Sequence, residues 1–115
     1  MLINKKDIIA INQALGEQGL FKNESSLDFT LDALKGKKSW LYEISCLTRS
    51  ILIDHVFEDG NKRTVFVLIH IYLEENNLRE DKDKINEIIS VIIKNNITDI
   101  HKIMRLIKKC YQKKE

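Results

Sequence analysis

The sequence contains no proline and only four glycines, and neither residue is concentrated in a tract. No segment is repeated and none is of low complexity. These absences exclude collagen-like chains, flexible linkers and solenoid repeats. Apolar residues make up 43% of the 115 positions, which is enough to bury one compact core. We therefore expect residues 1–115 to form a single domain.

Cysteine is also scarce, since Cys46 and Cys110 are the only two in the sequence. They lie far apart, outside any CxxC or metal-ligand spacing, so we expect two free thiols in a reducing, cytoplasmic setting. Residues 1–11 carry charges where a signal peptide needs an apolar region. The longest uncharged stretch, residues 64–73, is about half as long as a bilayer-spanning helix. No membrane partner is expected.

A large charge of one sign is lacking as well. The 19 lysines and arginines nearly balance the 17 acidic residues, and the formal net charge is +2. The basic excess lies largely in the tail, at Lys108, Lys109, Lys113 and Lys114. Because so small a charge attracts polyanions only weakly, direct binding to nucleic acid is not expected.

Apolar residues recur mostly at spacings of three and four, which predicts an all-α fold. A first helix can begin at the cap residue Asn4 and stop at Gly16 or Gly19. A short second helix, capped by Ser26, is expected to end near Gly36. The segment that joins these two helices loses the pattern and is expected to be an ordered loop or a short hairpin.

The middle of the chain holds the two most apolar predicted helices. Ser39 can cap a helix that runs to about Asp54 with a broad apolar stripe. After a break, residues 61–75 are apolar nearly all round and should form the central helix, which the asparagine pair that follows can end. Two amphipathic packing helices come next, the second capped by Thr98. The prediction is therefore a bundle of about six helices.

The break between the two apolar helices, residues 55–63, combines a titratable base, carboxylates, a glycine and two cations. Its last residues are expected to form the first turn of a helix. The backbone N–H groups there have no partner within the helix, and together with the positive end of the helix dipole they can bind phosphate oxygens. Gly60 lets the backbone approach closely, while Asn61 can add amide donors and Arg63 a bidentate fork. These residues have the properties of an anion cradle.

Two side chains beside the cradle can carry the chemistry. Asp59 supplies a hard oxygen ligand for a Mg²⁺ ion that bridges a carboxylate to nucleotide phosphates. His55 ends the preceding helix, where an imidazole can take a proton from an attacking hydroxyl. Taken alone, a histidine at a helix end more often satisfies a carbonyl, and Asp-Gly is an ordinary turn. The combination is what favours a functional site.

The segment HVFEDGNKRT resembles the signature of the Fic/Doc family, which is HxFx(D/E)GNxRxxR in the adenylylating branch. Six positions agree, namely His55, Phe57, Asp59, Gly60, Asn61 and Arg63. The flanking sequences look like the Doc branch, so the likeness covers roughly residues 19–78. The resemblance implies a Fic/Doc-like helical bundle whose active loop lies between two central helices.

The family's motif implies a role for each matching residue. His55 would be the general base, Asp59 the magnesium ligand, and Phe57 a buried wedge that holds the loop. The nucleotide phosphates would be held by Gly60, Asn61, Lys62 and Arg63. ATP and Mg²⁺ would be required. The flap, on which the target's modified segment docks in extended form, would consist of Gly19, Leu20, Phe21, Lys22 and Asn23.

The reaction type depends on departures from the signature. Phe66 stands at the second arginine, and Lys62 follows Asn61, as in the Doc branch, whose members transfer the γ-phosphate of ATP. This slightly favours a toxin-type, kinase-like transfer to a Ser, Thr or Tyr hydroxyl of a target protein. Gly60 and Asp59 follow the adenylylating branch, so AMP transfer is the alternative. An inactive binding or regulatory module is a second alternative.

Family members are commonly silenced by a glutamate from a helix with the pattern (S/T)xxxE(G/N). Neither end of the sequence contains such a helix. A toxin of this kind should therefore be restrained by a separate antitoxin, as in the Doc branch.

The two other histidines are better explained by structure than by chemistry. His70 lies on the apolar central helix and is expected to be a hydrogen-bonded core residue. His101 is expected on a surface face. Neither is assigned a functional role.

Overall fold

The computed structural model describes residues 2–36 and 38–114 of the chain. Its elements in order are α1 (Lys5–Ala14), α2 (Glu24–Ala33), α3 (Trp40–Ile53), α4 (Asn61–Glu75), β1 (Leu78–Glu80), α5 (Lys82–Lys94), α6 (Ile100–Lys108) and β2 (Tyr111–Lys113). The prediction of an all-α fold with about six helices is confirmed. Among these described residues, no helix has the length and apolarity needed to cross a bilayer.

Most helix boundaries fall where the sequence predicts them. The Asn4 side chain accepts a hydrogen bond from the N–H of Asp7 (2.8 Å) and starts α1. Gly16 lies just beyond that helix with φ +95°, a left-handed conformation that ends helices. Ser39 caps α3, and α4 begins and ends at the predicted residues.

Two predicted caps are wrong. α2 begins at Glu24 rather than after Ser26, because the Asn23 side chain accepts the hydrogen bond from the N–H of Ser26 (3.2 Å). The helix also ends before the expected glycine. α6 is capped by Asp99 instead of Thr98, since the Asp99 carboxylate accepts from two N–H groups of the first turn.

One hydrophobic core holds the helices together, and α3 lies at its centre, packed against α2, α4, α5 and α6. The predicted face of α5 is buried, through Ile85, Ile88, Ile89 and Ile92. Each fully buried aliphatic side chain of this kind contributes about 1.5–3 kcal/mol to folding. The loop between α3 and α4 is bounded at both ends by helices of this core.

A two-stranded antiparallel sheet, which the sequence did not predict, joins the end of α4 to the end of the chain. Leu78 pairs with Lys113 and Glu80 with Tyr111. The Tyr111 ring also packs on Trp40, with ring centroids 5.5 Å apart. The sheet thereby fixes the C-terminal segment against the start of α3.

His70 makes hydrogen bonds, as expected, but it lies outside the core. Its side chain is 41% exposed. Its ring nitrogens contact Glu80 (Nδ1 to Oε1, 2.6 Å) and Glu74 (Nε2 to Oε2, 3.0 Å). These two carboxylates hold the ring at this partly exposed position instead of in the core. His101 is exposed, as predicted.

Both thiols are free, as predicted, and both are buried. Burial raises the pKa of the Cys46 thiol, and it raises the pKa of Cys110 to about 12. The thiolate is the reactive form of cysteine, so neither side chain is suited to nucleophilic or redox chemistry.

Candidate active site

The start of α4 is the one helix start in the described chain that no side chain caps. The other five are capped by Asn4, Asn23, Ser39, Asp81 and Asp99. The cap position of α4 is Gly60, and its first turn holds Lys62 and Arg63 with no acidic residue. Cations at this end oppose the helix dipole, and the first N–H groups have no partner within the helix. Both features favour an anion at this position.

Gly60 is required by its backbone conformation and by its surroundings. Its φ is +83°, in the left-handed region. A Cβ atom there would lie 2.7 Å from Cγ of Glu17 and 3.0 Å from Nδ2 of Asn12. The close approach expected of this glycine is therefore made to α1 and the segment that follows it.

Gly60→Ala should lower the free energy of unfolding by about 2–3 kcal/mol, because left-handed strain and the contact with Glu17 and Asn12 add together. Gly16→Ala is the matched control, since φ there is +95° and a Cβ would meet nothing within 4 Å. In the control, backbone strain alone should lower the free energy of unfolding by about 1 kcal/mol. Urea denaturation of both variants measures the difference, and equal losses would show that the contact at Gly60 costs nothing.

A cavity of about 410 Å³ opens at the start of α4. We call it the loop cavity; its lining consists of Leu52, His55, Glu58, Asp59, Gly60, Asn61, Lys62, Arg63 and Ile93. His55 is exposed, and its backbone is left-handed with φ +52°. The predicted base, metal ligand and phosphate cradle therefore line a single cavity.

The side chain of Asn61 holds the loop closed. Its Oδ1 accepts a hydrogen bond from the N–H of Phe57 (3.0 Å), and its Nδ2 donates to the carbonyl of Phe57 (2.9 Å). Phe57 itself is fully buried, which fits the predicted wedge. One of the two amide hydrogens of Asn61 remains for a ligand, together with the main-chain N–H.

Arg63 already has an acidic partner. Its Nη2 lies 2.7 Å from Oε2 of Glu17, a residue that the sequence did not single out. The Arg63 side chain is 60% exposed, and pairs at such exposure contribute only about 0–1 kcal/mol. A phosphate could therefore replace Glu17 at little cost. Lys62, the second cation, is exposed beside it.

Asp59 presents an exposed carboxylate at the rim of the loop cavity. Within residues 2–36 and 38–114 that carboxylate has no hydrogen-bond or ionic partner, whereas the Asp59 carbonyl accepts a bond from Asn12 (2.9 Å). The same described residues contain no cluster of three or more His, Cys, Asp or Glu side chains that could hold a metal. In nucleotide sites Mg²⁺ is held by one or two carboxylates and by the phosphates, so the Asp59 oxygens fit this role.

Asn12 joins the parts of the site, although no motif in the sequence points to it. Its side chain is 1% exposed. The Nδ2 atom donates to the Asp59 carbonyl (2.9 Å) and to Oγ1 of Thr64 (3.2 Å), while Oδ1 accepts from the N–H of Gly19 (2.9 Å). A polar residue four positions after the buried Ile8, within the apolar stripe of α1, is the signal that could have identified it.

The predicted flap, residues 19–23, does not form a hairpin of its own but pairs through one antiparallel bridge with the loop between α3 and α4. The N–H of Glu58 donates to the Leu20 carbonyl (2.9 Å), and the N–H of Lys22 donates to the Val56 carbonyl (2.8 Å). Between these bonds Phe21 lies opposite Phe57, with the rings stacked 5.3 Å apart. Five residues are too few for two strands and a turn, so the loop supplies the second strand.

A second cavity, of about 410 Å³, meets the loop cavity at Lys62 and Arg63. Apart from these two cations its lining is mostly apolar, and consists of Leu15, Phe66, Val67, Asn86, Ile89 and Ser90. We call it the apolar cavity. Phe66 places an aromatic ring here, where the signature has its second arginine.

No family model, no curated protein and no solved structure matches this chain. Its function is therefore inferred from the residues of the loop and from their geometry.

Proposed function

We propose that the chain is a Fic/Doc-like transferase that moves a phosphate-containing group from ATP to a hydroxyl side chain of a target protein. One observation carries the proposal: the uncapped start of α4 and the imidazole of His55 line the same cavity. A phosphate bound to the N–H groups of residues 61–63 lies beside a group that can accept a proton.

In the favoured reaction, the target hydroxyl attacks the γ-phosphorus of ATP while His55 takes the hydroxyl proton. A bond forms between the hydroxyl oxygen and phosphorus, and the bond from phosphorus to the β–γ bridging oxygen breaks, so that ADP leaves. The helix N–H groups and Arg63 stabilise the negative charge on the phosphate oxygens. Asp59 would hold Mg²⁺, which when bound neutralises phosphate charge.

The apolar cavity favours phosphate transfer over AMP transfer. A wall that includes Phe66 and Ile89 suits a nucleoside base, whereas a charged triphosphate end loses hydration against it. With the nucleoside base in the apolar cavity, the phosphates extend past Lys62 and Arg63 toward His55. The γ-phosphate is then the phosphate nearest to the imidazole. AMP transfer needs the opposite direction, with the terminal phosphates beside the apolar wall.

The flap offers an edge on which an extended target segment can dock. Leu20 and Lys22, the residues on either side of Phe21, make the main-chain hydrogen bonds to the loop between α3 and α4. In this type of antiparallel pair, the N–H and the carbonyl of the central residue point away from the partner strand. The main-chain groups of Phe21 are therefore directed outward and can pair with a target backbone.

The direct test supplies the protein with Mg²⁺, a cell lysate and ATP labelled at either the α- or the γ-phosphate. Label from the γ-position is expected on a lysate protein, with none from the α-position and none when EDTA removes the metal. Transfer of the α-label would show that the chain transfers AMP instead of the γ-phosphate. Transfer of neither label would contradict the proposed function.

A further inference from the structure

His55 lacks the side-chain partner that usually orients a histidine base. Among the described residues, no hydrogen bond reaches either nitrogen of its imidazole, although His55 lines the loop cavity. Its backbone is left-handed, with φ +52°, a conformation that a residue with a Cβ rarely adopts. The direction of the ring therefore depends on whatever holds this backbone.

The carbonyls on either side of His55 are both held by one residue. Nδ2 of Asn23 donates to the carbonyl of Asp54 (3.1 Å), and the main-chain N–H of Asn23 donates to the carbonyl of Val56 (3.0 Å). These carbonyls belong to the peptide groups 54–55 and 56–57, so the two bonds together limit backbone rotation at His55 and Val56, the two residues between them. A rigid α3 fixes one end of this arrangement and the flap fixes the other.

The capping role of Asn23 does not by itself require an amide. Oδ1 of Asn23 accepts from the N–H and the hydroxyl of the first turn of α2, at Ser26 (3.2 Å) and Ser25 (3.0 Å). Serine or aspartate caps a helix about as well as asparagine. The contact that only the amide can make is the donation to Asp54, which is the contact beside His55.

We infer that Asn23 is a positioning residue, which keeps the imidazole of His55 directed into the loop cavity by holding the left-handed backbone. The inference rests on the proposed function for its catalytic consequence, while the structural part stands on the hydrogen bonds alone. Asn23 links the cap of α2 to the backbone of His55, so this flap residue acts on the chemistry through the position of His55.

The test is Asn23→Ser, which keeps a helix cap and the main-chain bond to Val56 but removes the Nδ2 donor. Asn4→Ser is the matched control, because Asn4 also caps a helix but makes no bond near the loop. In Asn23→Ser, the backbone ¹³C shifts of residue 55 should move away from left-handed values. Turnover should fall roughly 10- to 100-fold with the KM for ATP nearly unchanged, as expected for a misplaced base. The control should change neither.

Unchanged ¹³C shifts of residue 55 in a folded Asn23→Ser protein would overturn the inference, and so would full turnover. If Asn23→Ser fails to fold, Asn23→Asp keeps the shape and the cap while losing the donor, and the same two outcomes apply to it. The shifts can be read in a chain with no transferase activity. A failure of the proposed function is therefore distinguishable from a failure of this inference.

Discussion

His55→Ala should reduce label transfer by about 10²- to 10⁴-fold, because the target hydroxyl loses the group that accepts its proton. The KM for ATP should change little, since the N–H groups of α4 and Arg63 remain in place. Label transfer is measured under the conditions that give the wild-type signal.

His101→Ala is the matched control, because His101 is also an exposed histidine but lies on α6, outside the residues that line the loop cavity. It should retain wild-type transfer. If His55→Ala also retains transfer, the imidazole is not the base. If it retains the biological effect of the wild type without any transfer, the chain acts as a binding module.

Asn12→Ala should lower the free energy of unfolding by about 3 kcal/mol. The substitution leaves the Gly19 N–H and the Asp59 carbonyl without their partner, and removes one bond to Thr64. Buried polar groups that lose a partner cost about 1–3 kcal/mol each. Label transfer should fall as well, because Asn12 connects the flap to the loop.

Gln13→Ala provides the comparison for this variant, since Gln13 is the next residue on α1, is exposed and makes only one long side-chain bond, at 3.5 Å. Its substitution should change the unfolding free energy by less than about 0.5 kcal/mol. Urea denaturation measures both variants. Equal losses would mean that the Asn12 bonds do not stabilise the folded chain.

The helices were predictable from sequence because their signals are local. α4 follows a glycine and precedes an asparagine, and its apolar residues identify it without reference to the rest of the chain. Ser26 does not cap α2, because its hydroxyl bonds instead to Ser50 (2.7 Å) and Asp54 (2.6 Å), which are distant in sequence. The two strands are not predictable because each is only three residues long, too short to show the alternation of apolar and polar residues that marks a strand.

In the candidate site, too, some features follow from local sequence and others depend on residues distant in sequence. His55, Asp59 and the cradle are neighbours in sequence, so any fold that opens the loop brings them together. Glu17 and Asn12 reach Arg63 and Asp59 from α1 and the turn after it, and no local pattern encodes that approach. The family resemblance places Asn23 in the flap, but its bond to the carbonyl of Asp54 depends on tertiary packing.

In the part of the chain that the structure describes, main-chain hydrogen bonds join segments distant in sequence at two places. At the first, Leu20 and Lys22 bond to the loop between α3 and α4; at the second, β1 pairs with β2. The two sets of bonds share no residue. Separation of the C-terminal strand would thus leave every main-chain bond around His55 intact, so fraying at that terminus and opening of the flap are distinct local events with their own amide-exchange rates.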